Sequence, residues 1–201
     1  MRRKPRAFLK TDDGAITVDA LIVLPVVIWA VMATFVFFDA FRVKTFSQKA
    51  AYSVADALSR ETDPVDEDYI LGINQMHDFL ARTRNATMMR VSSIGRQGPD
   101  DDFVVIWSVP ATGATPLTSA TVNATLAERL PDFPQGETII YVETQINYLP
   151  LFRIGLPQMN FRQAVATRPR FAPQIPFDDG TQIIAQDLGA PTCDDGTELC
   201  V

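Results

Sequence analysis

The chain has 201 residues, 47% of them hydrophobic and 21% charged, with a formal net charge of −6. Five basic residues (Arg2, Arg3, Lys4, Arg6, Lys10) crowd the first ten positions, and removing residues 1–14 would move the net charge from −6 to −9. A body that acidic excludes a nucleic-acid binder, which must present clustered Lys and Arg to phosphates. One histidine and two cysteines are also too few for a closed four-ligand zinc site built from those residue types.

Residues 1–14 read as a basic leader that stays in the cytoplasm. The stretch "DDGAITVDALIVLPVVIWAVMATFVFF" follows, and from Ala20 to Phe38 no residue is charged. Nineteen residues at about 1.5 Å each cover roughly 28 Å, close to the hydrocarbon thickness of a bilayer. Residues 15–38 are therefore expected to form a transmembrane helix. A cleaved secretory signal would carry a shorter apolar region and a small-x-small cleavage site. The run ends instead in Phe35, Val36, Phe37 and Phe38, so it reads as a retained anchor. The rest of the chain then lies outside the inner membrane of a bacterium.

Residues 39–60, "DAFRVKTFSQKAAYSVADALSR", contain no Gly or Pro. Val43, Phe46, Ala50, Val54 and Ala57 recur at helical spacing, which predicts an amphipathic extension of the same helix. Continuous from Ala15 to Arg60, it would be roughly 70 Å long. Pro25 removes one intrahelical hydrogen bond and predicts a local kink. Asp63 before Pro64 signals a second helix, with Ile70, Ile73, Met76, His77 and Leu80 on its apolar face. His77 there reads as a packing residue.

"ATMMRVSSIG" and "DFVVIWSV", joined by the turn cluster "RQGPDD", predict a β-hairpin. "LTSATVNATLAERL" favours a helix through Leu117, Val122, Leu126 and Leu130. "ETIIYVETQINYLPLF" predicts a strand whose more apolar face (Ile140, Val142, Thr144, Ile146, Tyr148) turns to the core. "NFRQAVATRPRF" supplies a partner strand. Residues 61–172 thus form a small exported α+β domain with an antiparallel sheet, behind the long N-terminal helix. Residues 173–201, rich in Pro, Gly and Asp, are expected to run as an extended surface arm. Within that tail, Cys193 and Cys200 have six residues between them and would close a disulfide loop in an oxidising compartment.

Catalytic motifs are not found. There is no G-x-S-x-G, no Gly-rich phosphate loop and no second histidine. "DDDF" (Asp100–Phe103) and "CDDGTE" (Cys193–Glu198) lack the spacing of a calcium loop and read as solvated turns. No catalytic activity, metal or cofactor is expected.

The unusual residue is Asp19, a carboxylate at the edge of an apolar run. In hydrocarbon such a group costs on the order of 2.5–3.5 kcal/mol near the centre, less toward the edge, and usually has a partner. A cut after Gly14 would make Ala15 a free α-amine one helical turn away, or the same amine of a neighbouring molecule could pair with it. Alternatively, Asp19 reaches out to the headgroups unpaired.

A basic leader, Gly14, and then an acid at the fifth position of an apolar segment resemble type IV pilin-like proteins. "VDALIVLP" (Val18–Pro25) resembles the signature of TadE/TadG-like proteins of the Flp/Tad tight-adherence pilus system, including the step from the acid to Pro25. "FFDAFRVK" continues the likeness, and "YVETQINYLPLFRIGLP" with "ATRPRF" is loosely similar to the family's carboxyl-terminal strands. Asp19 stands where the family usually has the longer Glu, and Ala20 replaces a frequent aromatic. The short TadE-like and TadF-like members match best in length.

The resemblance implies that Gly14 ends the leader, Ala15 begins the mature chain and Asp19 belongs to the processing and assembly motif. The implied role is a non-catalytic minor pilin or pseudopilin. Its implied partners are a prepilin peptidase, other pilins and inner-membrane assembly proteins. The other reading is a single-pass anchored periplasmic binding or scaffold protein that is never processed.

Overall fold

The computed structural model describes residues 15–82, 87–97, 102–152 and 154–185. They fall into two compact units: one comprises the chain up to Arg42 together with Leu149–Gln158, the other Val43–Tyr148 and the chain from Met159.

Helix α1 runs without interruption from Ala15 to Leu58, 44 residues, so the uncharged run and its amphipathic extension are one element. Pro25 lies inside it. Lacking an N–H, Pro25 leaves the carbonyl of Leu21 without its usual intrahelical donor, yet the helix continues on both sides. In the first unit most large apolar side chains of α1 point outward, among them Leu21, Leu24, Ile28, Val31 and Phe38. Buried positions from Val18 to Arg42 are confined to Val36 and Ala40.

The second unit is built on a four-stranded antiparallel sheet of β1 (Met88–Gln97), β2 (Asp102–Thr112), β3 (Thr138–Tyr148) and β4 (Met159–Thr167), in the order β2-β1-β3-β4. The expected hairpin and the expected pairing of β3 with β4 are both present. On one face the outer part of α1 contributes Ala51, Val54, Ala55 and Leu58, and α2 (Glu67–Ala81) contributes Ile70 and Ile73. They pack on Met89, Val91, Trp107, Ile140 and Val142. Small residues suit close approach of the two helices: Ala50 of α1 and Ala81 of α2 share a smaller cluster with Ile146.

Sequence alternation assigned one face of β3 to the core, but both are covered. Ile139 and Tyr141, on the opposite face, pack with Ile94, Phe103, Leu117, Val122, Leu130 and Phe133. That second layer comes from the segment whose spacing favoured one helix, which forms instead a single α-turn, α3 (Ser119–Thr121), a π-turn (Val122–Leu126) and a 3₁₀ turn (Ala127–Arg129). Thr118 caps the start by accepting the Thr121 N–H.

A β-bulge lets β2 serve both layers. Trp107 pairs with Ser93 and Val105 with Ile94, so Ile106 has no partner of its own. The extra residue reverses the alternation. Phe103 and Val105 therefore face one layer, while Trp107, Val109 and Ala111 face the other.

Two expectations shift. Helix α2 begins at Glu67 behind Asp66, whose carboxylate accepts the Tyr69 N–H at 2.7 Å, and not at Asp63. An extended Ncap with a free side-chain acceptor serves the orphan donors of the first turn, and that acceptor comes from Asp66. The segment from 173 is extended and largely exposed, but two of its side chains enter the core. Ile175 and Phe177 are buried in the main core, and β5 (Phe177–Asp178) pairs with β6 (Ile183–Ile184). Asp179 closes that hairpin by accepting the N–H groups of Thr181 and Gln182, each at 2.8 Å, with Gly180 at φ 82°.

Candidate functional site

The residues that the resemblance assigns to processing and assembly fall at the start of α1. Ala15 is its first helical residue and Asp19 lies one turn further on, exposed. Gly14, the basic leader and the pair Cys193 and Cys200 lie outside the described residues. Val18, Leu21, Ile22 and Val23 beside Asp19 are all exposed. The carboxylate is therefore the one charged group on the otherwise uncharged exposed surface between Val18 and Phe38. Among the described residues, α1 is the one helix long and apolar enough to cross a membrane; its most apolar window has mean hydropathy 2.7 and is 6% buried. A surface like this has two chemical uses: contact with lipid, and side-by-side packing against other helices of the same kind.

A second polar group sits inside the α+β unit. His77 of α2 is wholly buried, with Nδ1 3.2 Å from Thr87 Oγ1. The Thr87 hydroxyl hydrogen-bonds to the Asp78 carboxylate, and the Thr87 N–H donates to Asp78 Oδ1 at 3.2 Å. Thr87 Oγ1 also reaches Asn74 Oδ1 at 3.3 Å, so one largely buried polar cluster joins His77, Asn74, Asp78 and Thr87. Burial holds the imidazole below its ordinary pKa, opposed by the nearby Asp78. Sequence reasoning placed His77 on the packing face but did not find its partner Thr87, which lies across the connection to β1.

A groove of about 280 Å³ opens over β1 and β3, lined among others by Arg90, Thr115, Glu143, Gln145 and Arg162. Its charged groups are engaged by neighbouring side chains and backbone. The Arg90 guanidinium holds the Glu143 carboxylate and donates to the Thr115 carbonyl at 2.6 Å. Arg162 Nε donates to Gln145 Oε1 at 2.8 Å. Neither His nor Cys lines it, and among the described residues no three His, Cys, Asp or Glu side chains come together as a metal site. Arg90, Glu143 and Arg162 were not singled out from sequence. The available signal was alternation, which sets Arg90 and Glu143 opposite each other once the β1–β3 register is known.

Comparison with protein-family models, with curated proteins and with solved structures finds no match.

Proposed function

We propose that the chain is a minor pilin or pseudopilin of a Flp/Tad-type pilus assembly system, acting without catalysis of its own. In this reading α1 sits in a bacterial inner membrane with its basic leader in the cytoplasm and the α+β domain in the periplasm. A prepilin peptidase removes residues 1–14, and the trimmed helix packs with other pilin helices during assembly. The observation that carries the reading is the combination on α1. A lone exposed carboxylate, Asp19, stands one turn from the helix start on an apolar surface, and the same unbroken helix ends in the core of a folded domain.

The test is the N-terminal residue of the protein extracted from its host's membranes, read by intact-mass and peptide mass spectrometry. A chain beginning at Ala15 is expected. A chain still carrying Met1 or Arg2 would overturn processing and leave an unprocessed anchored scaffold protein.

A further inference from the structure

The β3–β4 connection groups with the wrong neighbour for an ordinary hairpin loop. Leu149–Gln158 belongs to the same compact unit as α1 up to Arg42, whereas the strands it joins belong to the other unit. Its sequence, "LPLFRIGLPQ", carries one charged residue in ten. Surface loops are ordinarily polar and set with turn residues, yet this one exposes Leu149 (59%), Leu151 (68%) and Phe152 (39%). A segment packed on a helix lowers exposure where it packs. Between Val18 and Arg42, exposure falls only at Met32, Ala33, Val36, Asp39 and Ala40. That section is where the uncharged run ends and Asp39 begins the polar part of α1. At 1.5 Å per residue it lies roughly 30 Å from the start of the run at Ala20, which is one hydrocarbon thickness.

We infer that the Leu149–Gln158 connection is a second lipid contact: Leu149, Leu151 and Phe152 insert into the outer interfacial layer of the phospholipid bilayer beside α1. The occupant is lipid because these exposed apolar side chains belong to the same compact unit as α1, the one helix among the described residues long and apolar enough to span. Burying such side chains in the acyl region is favourable by the same transfer free energy that holds an interfacial amphipathic segment in place. The inference rests on α1 spanning the membrane, so its test reads the helix and the loop separately.

The full chain, with Cys193→Ser and Cys200→Ser, is reconstituted into vesicles of equal parts phosphatidylethanolamine and phosphatidylglycerol. Nitroxide labels are placed singly at Leu151→Cys, at Trp29→Cys for the helix, and at Glu128→Cys as an aqueous standard. Collision with lipid-soluble oxygen is compared with collision with a water-soluble nickel chelate. The expected result is that the Leu151 label favours oxygen, as the Trp29 label does, while the Glu128 label favours nickel. A lipid-facing Trp29 label with a nickel-accessible Leu151 label overturns the loop contact alone. If both face water, the spanning helix fails and the loop contact falls with it.

Discussion

Asp19 is the residue on which the proposed function turns, and its energetics separate assembly from folding. An exposed carboxylate on an apolar helix adds nothing to the monomer's core and makes insertion harder, by on the order of 2.5–3.5 kcal/mol if it sat at the bilayer centre and less near the edge. Paired with a neighbour's α-amine in a low dielectric, the same charge becomes a strong and directional contact. Asp19→Asn should therefore leave insertion and folding intact while lowering the number of filaments per cell. Asp19→Glu, with its longer reach, should keep them. Filaments are counted only in variants whose leader is shown by mass to be gone, and normal piliation by a processed Asn variant would reduce Asp19 to a solvated interfacial residue. His77 makes a prediction of a different kind. Its pKa is lowered in the folded state by burial, so the unfolded chain takes up the proton first as pH falls. The stability linked to it is complete above pH 6.5, the ordinary value, and is lost as pH drops from there toward the depressed folded value. The slope can reach about 1.4 kcal/mol per pH unit for one group. Chemical denaturation of the wild type should show this decline between pH 6.5 and about 5, above the range where most carboxylates titrate, and His77→Gln should flatten it. A flat wild-type profile would show that the imidazole finds a solvated partner in the fold.

At the scale of elements, α1 is one helix with two surroundings. From Val18 to about Phe41 most of its large side chains lie open, Val36 excepted, whereas Val54 and Leu58 are fully buried against the sheet. Truncating Leu58 to Ala removes methyl groups from a packed site and should cost about 2–5 kcal/mol of domain stability. Val31→Ala, on the open stretch, should leave the same unfolding midpoint unchanged. Urea titration in mild detergent, followed by Trp107 fluorescence in a Trp29→Phe background, distinguishes them, and equal effects would mean that the two stretches share one core. This division was readable from sequence because it rests on local signals: an uncharged run, then apolar residues at helical spacing without Gly or Pro. The strands were readable for the same reason, as alternation in "ETIIYVETQINY" and "NFRQAVATRPRF". What alternation could not supply was the bulge at Ile106, which depends on the register between β1 and β2. The second layer was equally hidden, because a short α, π and 3₁₀ succession has no single period to detect. In the candidate site, Asp19 was legible because a charge in an apolar run is a local anomaly. The partners of His77 and Arg90 were not, since Thr87 and Glu143 reach them only through tertiary contacts.

At the scale of the whole molecule, the chain after β4 acts as a strap that closes the α+β unit on itself. The N–H of Arg170 donates to the Ser59 carbonyl at 2.8 Å, just past the end of α1, and Arg170 also pairs with Asp56 at 2.8 Å. Val65, between the helices, donates to the Pro176 carbonyl and accepts from the Asp178 N–H, at 3.0 and 2.9 Å. Thr138 of β3 donates to the Pro173 carbonyl, and Trp107 of β2 donates its indole N–H to the Ile175 carbonyl at 2.8 Å. The strap thus joins the end of α1, the α1–α2 connection and two strands, and it fills the core with Ile175 and with Phe177, whose ring lies 5.5 Å from that of Trp107. Prolines at 169, 173 and 176 fix φ and lower the entropy of the unfolded strap, so less is lost when it docks. A strap held this way should not release before the rest of the domain. Ile175→Ala should cost about 2–5 kcal/mol and lower the unfolding midpoint while keeping one transition. Trp107 fluorescence, which reports the strap, and amide-exchange protection of β3, which reports the sheet, should then be lost together at the same urea concentration. If Trp107 changed first while β3 stayed protected, the strap would be a separately opening segment, and the helix that carries Asp19 would lack the tie between its end and the sheet that this arrangement provides.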